Sequence, residues 1–136
     1  MLIGRLRAAL FDRRGQSLVE FALALPVLLL VLFGITEFGR AFQAYLTVNH
    51  IAREGARLAA VGASNSEIES LIYSEAVGLD PNRLTVTITP ADESARLPGQ
   101  TVTVRVAYEF QLIVPLISDL VGTGIPMEAA LSMRIE

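Results

Sequence analysis

The residues around the head of a long apolar run have types and spacing suited to proteolytic processing. Arg13 and Arg14 come first, Gly15 is a small residue, and Glu20 is an acid immediately before the uncharged run 21–36. An ordinary membrane anchor has no use for a carboxylate at the head of its apolar run. An ordinary signal peptide is cut after its apolar run, whereas this candidate site precedes it. A cut here would leave the run in the product.

The apolar run is the element that must position these residues. Residues 1–15 carry four Arg and one Asp, a net charge of +3, so the positive-inside rule predicts that this end stays in the cytoplasm. The 16 residues from Phe21 to Thr36 cover about 24 Å as a helix, slightly less than a hydrocarbon core of about 30 Å. Including Leu18, Val19 and Phe38 gives a predicted span of about residues 18–38.

Two interpretations of Glu20 are open from its position alone. It could be an interfacial acid that reaches back to water, which is tolerable at the membrane edge. Alternatively its spacing from Gly15 is meaningful, because Glu20 would be the fifth residue of a chain that begins at Gln16. The spacing favours the second interpretation.

The segment resembles the class III signal of type IV pilin-like proteins. In that class a membrane aspartyl peptidase cuts on the cytoplasmic side after a Gly and leaves the apolar helix in the product. The resemblance places Gly15 before the cut, Gln16 at the new N-terminus and Glu20 at the acid of the motif. An amine freed at Gln16 needs an anion once subunits leave the lipid, because a desolvated charge is stable only when paired. Glu20 of a neighbouring subunit would supply that anion.

Three blocks of sequence narrow the resemblance to the TadE-like family, the minor pseudopilins of tight-adherence (Tad, or Flp) pili. They are RRGQSLVEFALALPVLLLVLFGITEFGRAF, NHIAREGARLAAV and MEAALSMRIE. Phe21 follows the motif Glu, where major Flp pilins typically have Tyr, and those pilins are much shorter than 136 residues. Both differences favour a minor subunit. The resemblance implies a prepilin peptidase, other pilin and pseudopilin subunits, the Tad assembly platform and membrane lipid as partners.

The composition argues against an enzyme, a metal-binding protein or a nucleic-acid-binding protein. The chain has no Cys, no Lys and one His, so triads, Schiff bases and thiolate metal sites lack their usual parts. His50 and Glu54 are one helical turn apart and are expected to pair or to be solvated. Without residues 1–15 the chain keeps seven Arg and thirteen acids, a net charge of −6, which disfavours nucleic-acid binding. We therefore expect no enzyme, no cofactor, no metal, no nucleic acid and no small-molecule substrate.

The helix is predicted to continue past the membrane. Residues 37–61 contain no Pro and place apolar or small residues along one face, and Pro26 is expected to kink the earlier half. We expect the Phe42, Tyr45 and Ile51 side to be buried. Four small residues would allow another backbone to approach closely, either the chain's own sheet or a second subunit: Ala52, Gly55, Ala56 and Ala59.

The remaining residues predict a small α+β domain. Ser66 and Glu69 form a capping-box pattern for a short second helix. Three stretches then alternate with period two, at 83–89, 101–110 and 127–135, and a polar loop at 90–99 joins the first two. The fold class is α+β and pilin-like: a long N-terminal transmembrane helix, a short second helix and a three-stranded antiparallel sheet. Residues 112–124 fit neither period and predict a core-packing turn or short helix, or an exposed apolar contact for a neighbouring subunit.

The expected organisation is a cytoplasmic basic leader at 1–15 that is removed, a long helix at 16–62 and an exported domain at 63–136. The N-terminus would be cytoplasmic and the domain outside, in the membrane or in an extracellular pilus. Two functions remain open. One is a processed minor pseudopilin acting in pilus assembly, adherence and surface colonisation. The other is an unprocessed single-pass membrane protein whose outer domain binds a partner in an envelope complex.

Overall fold

A computed structural model describes residues 13–136 of the chain. The predicted leader, residues 1–15, lies largely outside the described residues, and its removal stays a prediction. The chain divides into two compact units at the Thr36–Glu37 bond. Helix α1 runs from Arg13 to Ala60 and passes through this boundary.

The first unit contains the apolar part of α1. The side chains of residues 17–36 are exposed, apart from the half-buried Gly34. Among the described residues this is the one helix that is long and apolar enough to cross a membrane. One apolar N-terminal helix suggests a single-pass membrane protein. The helix continues on both sides of Pro26, and a kink there stays a prediction.

The second unit, residues 37–136, combines the rest of α1 with the predicted helix and sheet. Helix α2 spans Asn65–Glu75, and the strands are β1 Leu84–Thr89, β2 Thr101–Gln111 and β3 Gly124–Arg134. Short 3₁₀ turns lie at Pro81–Arg83 and Glu93–Ala95, and helix α3 spans Pro115–Val121. The strands are antiparallel in the order β1-β2-β3, with Val106 opposite Val86 on one side and Ala129 on the other. The predicted α+β fold is confirmed.

The core of this unit forms where β2 faces two helices. The inward residues of β2 alternate with exposed or half-buried ones, which is the period-two pattern of a half-buried strand. Residues with no accessible surface come from β2, α1 and α2: Val102, Val104, Val106, Val48, Ile51, Ala52, Ala56, Ala59, Ile68 and Ile72. The face of α1 that enters the core is therefore made mostly of small residues.

Gly55 marks the closest approach on this face. A Cβ built at Gly55 would lie 2.8 Å from Cδ1 of Ile72 and 3.3 Å from Cγ1 of Val104. A side chain at position 55 would therefore require the buried side chain of Ile72 to shift. The predicted contact face of Ala52, Gly55, Ala56 and Ala59 is thus occupied by the chain's own second helix and sheet.

The predicted burial of the Phe42 and Tyr45 side is wrong, whereas that of Ile51 is confirmed. Ile51 is fully buried, but Phe42 is 53% exposed and Tyr45 is 49% exposed. At this end of β2 the buried side chains are themselves aromatic, Tyr108 and Phe110, and the α1 residues buried here are the smaller Ala44 and Val48. The helix therefore turns its Ala and Gly residues inward and its aromatic residues outward.

The predicted capping box is wrong by two residues. Ser64 is the N-cap of α2: its backbone N–H donates to Glu67 Oε2 at 2.9 Å, and its hydroxyl accepts from the Glu67 N–H at 3.4 Å. Before it, Gly62 has a φ of +87°, a left-handed conformation that favours glycine and ends α1. The segment 112–124 contains the predicted short helix α3; Leu112 packs half-buried against the core, whereas no residue of α3 itself is buried.

Candidate functional site

The predicted processing residues lie near the start of the described part of α1. Gly15 is helical and exposed, and a Cβ built on it would meet no atom within 4 Å. Gln16 Nε2 donates a hydrogen bond to Glu20 Oε1 at 3.0 Å, one turn along the helix. The structure therefore brings Gln16 and Glu20 together on an accessible surface. Cleavage after Gly15 stays a prediction.

A second carboxylate, at Glu37, forms a site that the sequence did not reveal. Glu37 is 3% exposed, although it is charged and comes directly after the apolar run. Its Oε1 accepts hydrogen bonds from the backbone N–H of Ile113 at 2.6 Å and of Val114 at 2.8 Å. Its Oε2 accepts from Arg40 Nη1 at 2.6 Å. Each carboxylate oxygen is satisfied, as a buried charge requires.

The Arg40 guanidinium extends this cluster to the sheet. Its Cζ lies 5.1 Å from the ring centroid of Phe110, within the range of a cation–π contact. Glu37 binds the N–H groups of Ile113 and Val114 and pairs with Arg40, which lies over Phe110. These five residues connect the first turn of the second unit to β2 and to the segment that follows it. We call this cluster the Glu37 tie.

The sequence could have indicated Glu37 and one of its three partners. An acid immediately after a membrane-length run must be paired or must reach water, and Arg40 lies one helical turn along, at a spacing that allows a side-chain pair. The other two partners are backbone groups 76 and 77 residues away, which carry no side-chain signature. Only the fold brings them together.

His50 is exposed, as one of the two expectations had it, and its acidic neighbour is Glu75 instead of Glu54. His50 Nε2 lies 3.4 Å from Glu75 Oε2 at the end of α2, while Glu54 accepts two hydrogen bonds from Arg57 at 2.7 and 3.0 Å. The arginine fork offers two charge-assisted donors, which an imidazole cannot match. Neither the observed neighbour, Glu75, nor the expected one, Glu54, is a hydroxyl or thiol nucleophile that His50 could activate.

A cavity of about 370 Å³ lies in the second unit between α1, the 77–83 connection that precedes β1, and the C-terminal end of β2. Arg40, Arg83, Gln43 and Tyr108 are among its lining residues. Both guanidiniums already have acid partners, since Arg40 pairs with Glu37 and Arg83 Nε lies 3.5 Å from Asp80. The cavity therefore offers no unpaired positive charge to an anion. Within residues 13–136 no group of His, Asp and Glu is placed to hold a metal ion.

Three carboxyl groups of the second unit have lowered pKa values. A side-chain hydrogen bond from Arg57 lowers the pKa of Glu54. The Ser64 N–H, followed by its hydroxyl, lowers the pKa of Glu67. The Ser94 hydroxyl, followed by its N–H, lowers the pKa of Asp92. All three belong to helix pairs, caps or turns, so these shifts describe local structure rather than catalysis.

Comparison with known proteins gives one match. A family model described as TadE-like protein matches residues 15–57. The matched range begins at Gly15 and contains Glu20, Glu37 and the four small residues that face the core. The resemblance predicted from the sequence is thereby confirmed for this range, while the C-terminal block MEAALSMRIE lies outside it. No curated protein and no solved structure matches the chain.

Proposed function

We propose that this chain, in which residues 15–57 match the TadE-like family, is a minor pseudopilin-like structural subunit of a Tad (Flp) pilus. It is made as a precursor, cut between Gly15 and Gln16, and acts in pilus assembly, adherence and surface colonisation. It is not an enzyme and needs no cofactor. The observation that carries the proposal is that the match begins at the residue before the proposed cut and continues through the whole apolar segment.

The exposed side chains of residues 17–36 support a role in assembly. Lipid covers such a surface while the subunit is in the membrane, with its N-terminus cytoplasmic and its domain outside. When subunits leave the lipid, helices of other pilins and pseudopilins must cover the same side chains, because a large apolar surface is unstable in water. The partners of this step are the aspartyl prepilin peptidase and the Tad assembly platform.

Glu20 is the residue that we propose for charge pairing during assembly. In the uncut chain its Oε1 accepts from the Gln16 side chain. A carboxylate has two oxygens and about four acceptor sites, so this bond does not exhaust its capacity. After the cut, the Gln16 ammonium of one subunit pairs with Glu20 of the next, which compensates for the loss of water around both charges.

Intact mass of the protein purified from its native host tests the processing step. We expect a chain that begins at Gln16. Gly15→Leu should give a chain that keeps its leader, because the bulky side chain blocks the position before the cut. Gly34→Leu is the matched control, since a Cβ at Gly34 also meets no atom within 4 Å, and it should be processed normally. A wild-type chain beginning at Met1 would instead support the unprocessed single-pass protein.

Glu20→Ala tests assembly separately from processing. The variant should insert into the membrane and be cut, but pili and surface adherence should be lost or strongly reduced, because the Gln16 amine loses its partner. Glu69→Ala, which removes an exposed acid of the second unit, is the control and should assemble normally. Normal piliation in the Glu20 variant would rule out the charge-pairing role while leaving the processing result intact.

A further inference from the structure

The segment after β2 exposes an unusual amount of apolar surface. Ile113, Leu116, Leu120 and Val121 are all more than half exposed, with Leu120 at 75%. Helix α3 buries none of its residues and contains one charged residue, Asp119. We propose that residues 113–121 are an interfacial anchor that lies in the headgroup region of the membrane leaflet where the α1 span ends.

The Glu37 tie fixes where this segment can be. The N–H groups of Ile113 and Val114 donate to Glu37 at 2.6 and 2.8 Å, and Val114 is the N-cap of α3. Glu37 directly follows Thr36, the last residue of the uncharged run. The start of the exposed segment, at Ile113 and Val114, is therefore bonded to the residue that follows the run.

The length of the span puts Glu37 at the edge of the hydrocarbon. A core of roughly 30 Å needs about 20 helical residues. A span of that length ends at Glu37 when it begins at Leu18 and at Arg40 when it begins at Phe21. In either register the carboxylate is at or just inside the boundary, where an unpaired charge is costly. Its bonds to two N–H groups and to Arg40 supply the pairing that this depth demands.

Neighbouring residues of α1 have the character of a membrane interface. The rings of Phe38 and Phe42 are stacked with centroids 6.2 Å apart, and both are exposed. An apolar surface at this depth meets acyl chains and headgroups, and binding to that region strengthens with the apolar area that Leu, Phe and similar side chains bury there. Lipid is therefore the occupant that the position selects. A second copy of the chain is the competing occupant, which the experiment below distinguishes.

The anchor depends on membrane insertion and not on cleavage at Gly15 or on incorporation into a pilus. An unprocessed single-pass protein would carry it as well. Its failure would leave the proposed function standing, and the mass measurement could fail without affecting it.

A single-tryptophan reporter tests the anchor, because the chain has no Trp. Leu116→Trp and Leu97→Trp form a matched pair, since both leucines are 56% exposed and Leu97 lies in the β1–β2 loop. The full-length variants are reconstituted in phosphatidylcholine vesicles whose acyl chains are brominated near the headgroup or near the methyl end. We expect Leu116→Trp to emit at shorter wavelength and to lose intensity, more with the shallow bromines than with the deep ones. Leu97→Trp should keep the emission of a tryptophan in water.

Several outcomes would overturn the proposal. Equal and unquenched emission from both variants would show that the segment is in water. A short-wavelength emission without bromine quenching would show that protein covers it, as in a dimer. Stronger quenching by the deep bromines would place it in the hydrocarbon instead of at the interface. Adding Glu37→Ala to Leu116→Trp should reduce the shallow quenching, and unchanged quenching would remove Glu37 from the anchor.

Discussion

The two units of the chain use the same helix in opposite ways. In the unit that ends at Thr36, α1 is built of Leu, Val and Phe, and these large side chains are exposed. In the unit that begins at Glu37, α1 buries Ala, Gly, Val and Ile and exposes Phe38, Phe42 and Tyr45. Apolar character alone therefore does not say what an α1 residue contacts. The size of the α1 side chain and the shape of the surface that packs against it determine whether that side chain is buried.

The largest expected effect comes from a pair of substitutions on the second part of α1. Ile51→Ala should lower the free energy of unfolding of the second unit by about 2–5 kcal/mol, because it leaves a cavity among fully buried neighbours. Phe42→Ala removes a larger side chain, but it should change that free energy by less than about 0.5 kcal/mol. Denaturant unfolding of the full chain in detergent, followed by near-ultraviolet circular dichroism, measures both. Equal losses of unfolding free energy in the two variants would contradict the assignment of Ile51 to a buried face and Phe42 to an exposed one.

A smaller effect separates two serines at the start of α2. Ser64→Ala should cost about 1 kcal/mol, because it removes the hydroxyl that caps the helix. Ser66→Ala, at the position of the predicted cap, should cost less than about 0.5 kcal/mol, since Ser66 is inside the helix and exposed. The same unfolding measurement applies. A larger loss at Ser66 would restore the sequence-based assignment.

The smallest expected effect is the pH dependence of the stability of the second unit. Glu54, Glu67 and Asp92 have pKa values below their usual 4.5, 4.5 and 3.8 in the folded chain. Their contribution to stability is therefore complete above the unfolded pKa values and is lost as the pH falls through the lower folded values. The melting temperature of the full chain in detergent should fall slightly on acidification below about pH 4.5.

Arg57→Gln tests the cause of this pH dependence, and Arg53→Gln is its control. It removes the main cause of the Glu54 shift, so it should flatten the acid-induced fall in melting temperature. Arg53→Gln removes only the weakest of the causes and should leave the profile unchanged. A profile that is identical in wild type and Arg57→Gln would mean that the Arg57–Glu54 pair does not survive in solution.

The strands were predictable because their evidence is local. Val102, Val104 and Val106 alternate with polar or small residues, and this period survives in the folded sheet. The α2 cap was ambiguous because Ser64–Glu67 and Ser66–Glu69 both have capping-box spacing, and local sequence does not choose between them. The buried face of α1 was mispredicted because hydrophobicity ranks Phe42 above Ala52, whereas the available space excludes the larger ring.

The residues of the candidate site also differ in how well local sequence predicts them. Gly15, Gln16 and Glu20 could be found because their meaning depends on spacing within six residues. The long-range part of the Glu37 tie could not be found, because the N–H groups of Ile113 and Val114 come within 3 Å of Glu37 only in the folded chain. Long-range pairing with the main chain leaves no trace in residue identity.

The close fit at Gly55 has a mechanical consequence. Within the second unit, a displacement of α1 would press its buried face against Ile72 of α2 and Val104 of β2, the two side chains nearest to Gly55. Ile51, Ala52, Ala56 and Ala59 on the same face have no accessible surface, so many small contacts would oppose such a displacement together.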